Sequence, residues 1–240
     1  LVIGRVVRTA AMLLLTALCS VAALLSGVVT RSERLPSRVM AWWGRRLLRL
    51  AGCRVRVEGA RALPPSGAVV VANHESYLDI PLVLYALGER VRFVAKRELG
   101  RIPVFGPAMR RAGNVFVDRE DARGAAAALR EAVARIGRGE WLVLFPEGTR
   151  SADGTIGAFR PGAFFVAARA GAPLVPVLLE GGARALPRGA LLVRPSDLAV
   201  RILEPLAPGA HRREDLAEEV RRRLLGARGG GGVPARAGAR

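Results

Sequence analysis

Gly67-Ala-Val-Val-Val-Ala-Asn-His-Glu-Ser-Tyr-Leu-Asp79 decides the fold. Its apolar run has no polar alternation, so both faces of the strand it forms must be covered, as in a parallel sheet with helices on each side. A helix starting near Asp79 would follow directly. His74 then sits in the turn between strand and helix, where an α/β sheet presents its reactive groups. An imidazole is the side chain best suited to take a proton near neutral pH, and its second nitrogen needs an acceptor to fix the tautomer. Asp79 is the nearest carboxylate that can fold back beneath the ring. Taken alone, one His followed by one Asp is equally compatible with a structural histidine bonded at a turn.

Outward from this stretch the pattern repeats. Strands are predicted at residues 54–58, 68–72, 92–95, 114–117, 141–145, 174–179, 190–193 and 199–203, and helices at 80–87, 121–136 and 163–170. The fold class that follows is α/β, with a mixed, largely parallel sheet flanked by helices. A second chemical feature, Phe145-Pro-Glu-Gly-Thr-Arg-Ser151, follows an apolar strand. There Arg150 offers a planar donor fork that matches a phosphate, and Glu147 could accept from a hydroxyl or hold the arginine in a loop salt bridge.

The amino-terminal segment is of another kind. Residues 9–30 carry no charge, with Arg5 and Arg8 before them and Arg31 after. As a helix this run would extend about 33 Å, enough for a bilayer core. A removed signal peptide and a buried soluble helix compete with a retained anchor; the length of the run favours the anchor. Residues 37–50 place Val39, Trp42, Trp43, Leu47 and Leu50 near one helical face, with Arg38, Arg45, Arg46 and Arg49 beside it. Such a helix suits the headgroup level of a membrane, and the tryptophans could equally cap the core; one helix can do both. The chain is thus divided into membrane-anchoring helices at 1–50, a catalytic domain at 51–226 and a disordered, chemically silent tail at 227–240.

The 240 residues are 51% apolar and carry a formal charge of +18. That excess favours anionic surfaces, whether phospholipid headgroups, nucleic acid or a phosphorylated ligand, and charge alone does not choose among them. Two cysteines, Cys19 and Cys53, are too few and too scattered for a disulfide framework or a zinc site. No Gly-x-Ser-x-Gly elbow supplies a hydrolase nucleophile.

Four blocks in order resemble the HxxxxD glycerolipid acyltransferases, and among them the lysophosphatidate acyltransferases: Asn73-His-Glu-Ser-Tyr-Leu-Asp79, Gly113-Asn-Val-Phe-Val-Asp-Arg119, Phe145-Pro-Glu-Gly-Thr-Arg-Ser151 and Val175-Pro-Val177, with Lys96 and Phe159-x-x-Gly162 between them. The resemblance implies an enzyme in which His74 deprotonates an acceptor hydroxyl and Asp79 supports it. It further implies that Lys96, Arg119, Glu147 and Arg150 bind a glycerol phosphate, with Gly148 and Thr149 shaping the loop. The implied reaction moves an acyl group from acyl-CoA or acyl-ACP to the sn-2 hydroxyl of 1-acyl-sn-glycerol 3-phosphate, with no cofactor, metal or nucleic acid. Another lysolipid, or glycerol 3-phosphate, stays open as acceptor. Carrier protein and an anionic membrane surface are the implied partners, at the cytoplasmic face of a bacterial inner membrane. The family commonly has Gln or Arg where this chain has Glu75, which leaves the headgroup preference open.

Overall fold

The computed structural model describes residues 2–59, 63–118, 121–207 and 213–229. Seven strands form one sheet: β1 (Arg54–Glu58), β2 (Ala68–Ala72), β3 (Val91–Lys96), β4 (Val115–Val117), β5 (Trp141–Leu144), β6 (Leu174–Glu180) and β7 (Asp197–Ile202). Their spatial order is β1-β7-β6-β2-β5-β3-β4. All neighbours are parallel except β6 and β7, which run antiparallel. The mixed, largely parallel α/β sheet is therefore what the sequence predicts.

Every residue of β2 is buried. Ala68, Val70 and Ala72 face a core shared with α2 (Arg34–Leu50) and α3 (Asp79–Leu87), while Val69 and Val71 face one built with α5 (Ala122–Gly137), α6 (Gly162–Ala170) and α8 (Arg213–Gly229). That double cover is why its five residues show no alternation. Because β2, β5 and β3 are parallel neighbours, the loops after them emerge at one edge of the sheet. The turns carrying His74 and Arg150, together with Lys96, come to that edge by topology alone.

Residues 190–193, expected as a strand, join no sheet. Pro187, Gly189 and Pro195 interrupt the backbone around them, and the segment docks instead on α1 (Val2–Thr30). Thr9 accepts the Val193 N–H at 3.1 Å, and Arg5 donates to the Leu192 carbonyl at 3.1 Å.

α1 is long and apolar enough to cross a membrane, judged by length and composition. Met12 and the small residues Cys19, Ser20, Ala23 and Gly27 are buried on its inner side, whereas Leu13, Leu14, Leu18 and Leu25 are exposed. Four of its leucines therefore point away from the rest of the chain, whereas a core helix turns most of its large side chains inward. In α2, Trp43 turns to α1 and donates to Thr16 at 3.0 Å; Trp42 is exposed beneath the Arg46 guanidinium. The two readings of the tryptophans thus divide between adjacent residues. α8 runs to Gly229, so Ala227, Arg228 and Gly229 are helical rather than part of a tail; residues 230–240 lie outside the described residues.

Candidate active site

His74 follows β2 and Asp79 opens α3. The five-residue separation bends through the loop so that His74 Nδ1 lies 2.8 Å from Asp79 Oδ2. The same oxygen accepts the backbone N–H of Glu75 at 2.6 Å and of Ser76 at 2.8 Å. With two donors already converging on it, the third contact is an Nδ1–H donor. The imidazole lone pair is thereby left on Nε2, where a base needs it. Asp79 is fully buried, and its Oδ1 has no hydrogen-bond partner among the described residues. Gly182 in α7 (Gly182–Ala185) makes room for it, since a Cβ there would stand 2.8 Å from Oδ1.

The His74 ring stacks on Phe145 at the end of β5, with centroids 4.1 Å apart. Its backbone N–H donates to Glu147 Oε1 at 2.8 Å, and Glu147 Oε2 accepts the Gly157 N–H at 3.1 Å. Ser151 N–H closes the pairing by donating to the His74 carbonyl at 2.8 Å. Glu147 therefore laces the two loops together and does not pair with Arg150. Burial holds its carboxyl above the ordinary value.

The Arg150 guanidinium lies over the Tyr77 ring at 3.6 Å, and Gly148 takes a positive φ of 75° in the turn before it. Lys96 is exposed at the end of β3. His74, Lys96, Gly148, Thr149 and Arg150 line one cavity of about 790 Å³, which continues between α1, α2 and α4 (Phe105–Arg111) along Ala23, Trp43, Phe105 and Met109. A more open groove of about 950 Å³ between α1 and α2 contains neither His74 nor Asp79. Arg119 lies outside the described residues, and its neighbour Asp118 pairs with Arg97 at 2.9 Å.

Glu75 is buried beside the dyad, and burial, with the nearby Asp79 charge second, raises its pKa to about 7. Arg228 on α8 bonds its Oε1, a contact that the sequence, read as ending in a silent tail, did not suggest. Phe145 was missed as well, because nothing in an apolar strand end marks the ring that will lie under a histidine. The raised Glu75 carboxyl stabilises the fold fully below about pH 4.5, and that contribution is lost as pH rises through about 7. The unfolding free energy of wild type relative to Glu75→Gln should therefore fall between pH 5 and pH 8, by on the order of 3 kcal/mol. Denaturant unfolding at the two pH values measures it; a constant difference would mean that Glu75 titrates as an exposed carboxylate.

A histidine paired with a buried carboxylate thus stands at the head of a largely apolar cavity on the carboxyl edge of an α/β sheet. Residues 54–180 match the family described as Acyltransferase, and the chain belongs to that family. It is 40% identical over 138 residues to the chloroplastic 1-acyl-sn-glycerol-3-phosphate acyltransferase LPAT1 of Arabidopsis thaliana, covering 57% of this chain and 38% of that one. To the human 1-acyl-sn-glycerol-3-phosphate acyltransferase alpha it is 34% identical over 181 residues, covering 73% and 64%. The chain spans less than two thirds of the length of these plant, algal and mammalian relatives. The crystal structure of the 1-acyl-sn-glycerophosphate acyltransferase PlsC from Thermotoga maritima shares the fold with a TM-score of 0.74 and 29% identity, over 93% of this chain and 98% of that one.

Proposed function

We propose that this chain transfers a fatty acyl group from an acyl thioester, acyl-CoA or acyl-ACP, to the sn-2 hydroxyl of 1-acyl-sn-glycerol 3-phosphate, giving phosphatidic acid. The observation that carries this reading is the His74–Asp79 pair at the head of a cavity lined by Lys96, Glu98 and Arg150 and otherwise mostly by apolar side chains. Neutral His74 takes the hydroxyl proton as the oxygen attacks the thioester carbonyl. The C–O bond forms, the tetrahedral intermediate collapses with loss of the C–S bond, and the imidazolium returns the proton to the leaving thiolate. The apolar cavity would hold acyl chain, and Lys96, Arg119 and Arg150 would meet the phosphate.

A tetrahedral intermediate needs donors for its oxyanion, and three backbone N–H groups beside the imidazole are already occupied. The N–H groups of His74, Glu75 and Ser76 are all committed to carboxylates. The turn at Thr149 and Arg150, which lines the same cavity, is the proposed source instead. With α1 in the bilayer and the α2 arginines at the headgroups, the site would open toward its lipid substrate at the cytoplasmic face of a bacterial inner membrane.

Acceptor identity is tested at Arg150. Stacking on Tyr77 fixes the plane of the guanidinium, and Lys keeps the charge while losing both the plane and the fork. Arg150→Lys should lower kcat/KM about tenfold or more on lysophosphatidate, the worth of one charged hydrogen bond, and far less on lysophosphatidylethanolamine. Equal losses on the two acceptors would remove the phosphomonoester from the proposal.

A further inference from the structure

The loop that holds the dyad is tied by a pair that does not itself line the cavity. Glu75 is 4% exposed, in a position where a carboxylate needs a partner. Its own backbone N–H donates to Asp79 Oδ2 at 2.6 Å, so whatever fixes this residue fixes the cage around the catalytic carboxylate. The partner comes from the other end of the chain. Arg228, in the last turn of α8, bonds Glu75 Oε1 through one guanidinium nitrogen and the Gly154 carbonyl through another. Asn73 Nδ2 donates to Oε1 at 3.4 Å, and the Ala183 N–H of α7 donates to Oε2 at 3.4 Å. Helix α8 is itself anchored where Arg201 of β7 donates to the Ala227 carbonyl at 2.7 Å.

We infer that Glu75 and Arg228 form a positioning pair, by which the C-terminal helix holds the Asp79-binding peptide, and through it His74, in the geometry for proton transfer. The pair touches no substrate. It rests on the reading of His74 and Asp79 as the general-base dyad, and adds a control on that dyad from a helix outside the four sequence blocks. Among the described residues, the charged groups that act on Glu75 are Asp79 at the start of α3 and Arg228 on α8, with His74 its neighbour in the chain; α7 presents a backbone N–H and the 151–157 loop presents Gly154. Asp79 favours the protonated form of Glu75, and Arg228 opposes it. Losing Arg228 therefore protonates Glu75 at higher pH, weakens its hold on the Ala183 N–H and frees the loop that cages Asp79.

The test is the pH dependence of acyl transfer by the full chain in detergent, for wild type, Arg228→Met, Arg228→Lys, Glu75→Gln and Glu75→Gln/Arg228→Met. Arg228→Met should lower kcat at pH 7 about tenfold with KM for the thioester held, and move the acid limb of kcat/KM upward by about one pH unit. Lys at 228 should recover most of both effects. The double variant should be no slower than Arg228→Met, because both changes break one contact. If α8 merely stabilised the fold, Arg228→Met would lower the melting temperature while the acid limb stayed in place, and that result overturns the inference. So would kcat losses that multiply in the double variant. Should Arg228→Met fail to fold, the limb of Glu75→Gln decides: loss of one ionisation supports the pair, and a wild-type profile refutes it. Failure of the dyad itself would show differently, as full activity in a variant lacking the His74 imidazole.

Discussion

His74→Ala is expected to lower kcat at least about 100-fold while the protein stays folded and still binds lysophospholipid. The fold should tolerate the change for a specific reason. Asp79 Oδ2 keeps its two backbone donors, from Glu75 and Ser76, and the loop pairing through Glu147 uses the His74 backbone rather than its ring. What disappears is the Nε2 lone pair proposed to receive the hydroxyl proton, along with the face that packs on Phe145. Steady-state kinetics with a binding measurement on the same preparation separates the two. A folded variant with more than a tenth of the wild-type rate would remove His74 as the base.

The second large effect is expected at Asp79. Asn keeps the size of the side chain, and its carbonyl oxygen can still accept from the Glu75 and Ser76 N–H groups. The amide nitrogen must then occupy the place of Oδ1, which is buried beside Gly182 with no partner. In the flipped orientation the nitrogen faces two N–H donors and offers a hydrogen to His74 Nδ1, which imposes the wrong tautomer. Either way the charge that stabilises the imidazolium is gone. Asp79→Asn should therefore reduce kcat by about 100-fold to 10,000-fold with a small change in KM. A loss confined to KM would make Asp79 a part of substrate binding instead.

The sheet was legible because its central strands are covered on both faces, which leaves β2 and β5 as unbroken apolar runs. The failure at residues 190–193 has the same root: Val193 is buried, but against α1, and a short apolar segment does not record whether its cover is a strand or a helix. The His74–Asp79 contact could be anticipated because both partners lie within one turn of chain. Contacts to the same loop from distant segments could not. Glu147 reaches the His74 N–H across 73 positions and Arg228 reaches Glu75 across 153, and neither separation leaves a periodicity to find. Glu147 shows how a residue picked out by its motif can make contacts other than those expected of it. Its carboxylate was read as a partner for a hydroxyl or for Arg150, and the structure gives both its oxygens to backbone N–H groups.

The central claim is direct acyl transfer from a thioester to a lysolipid hydroxyl. It is tested by supplying the purified full chain, in phospholipid vesicles, with a labelled long-chain acyl thioester and lysophosphatidate, then following free thiol and lipid product by mass spectrometry in the same samples. The account predicts one phosphatidic acid for each thiol released, dependence of both on lysophosphatidate, and no label retained on the protein after denaturation. Thiol release without the diacyl product, at a rate indifferent to the acceptor, would identify a thioester hydrolase and contradict the account.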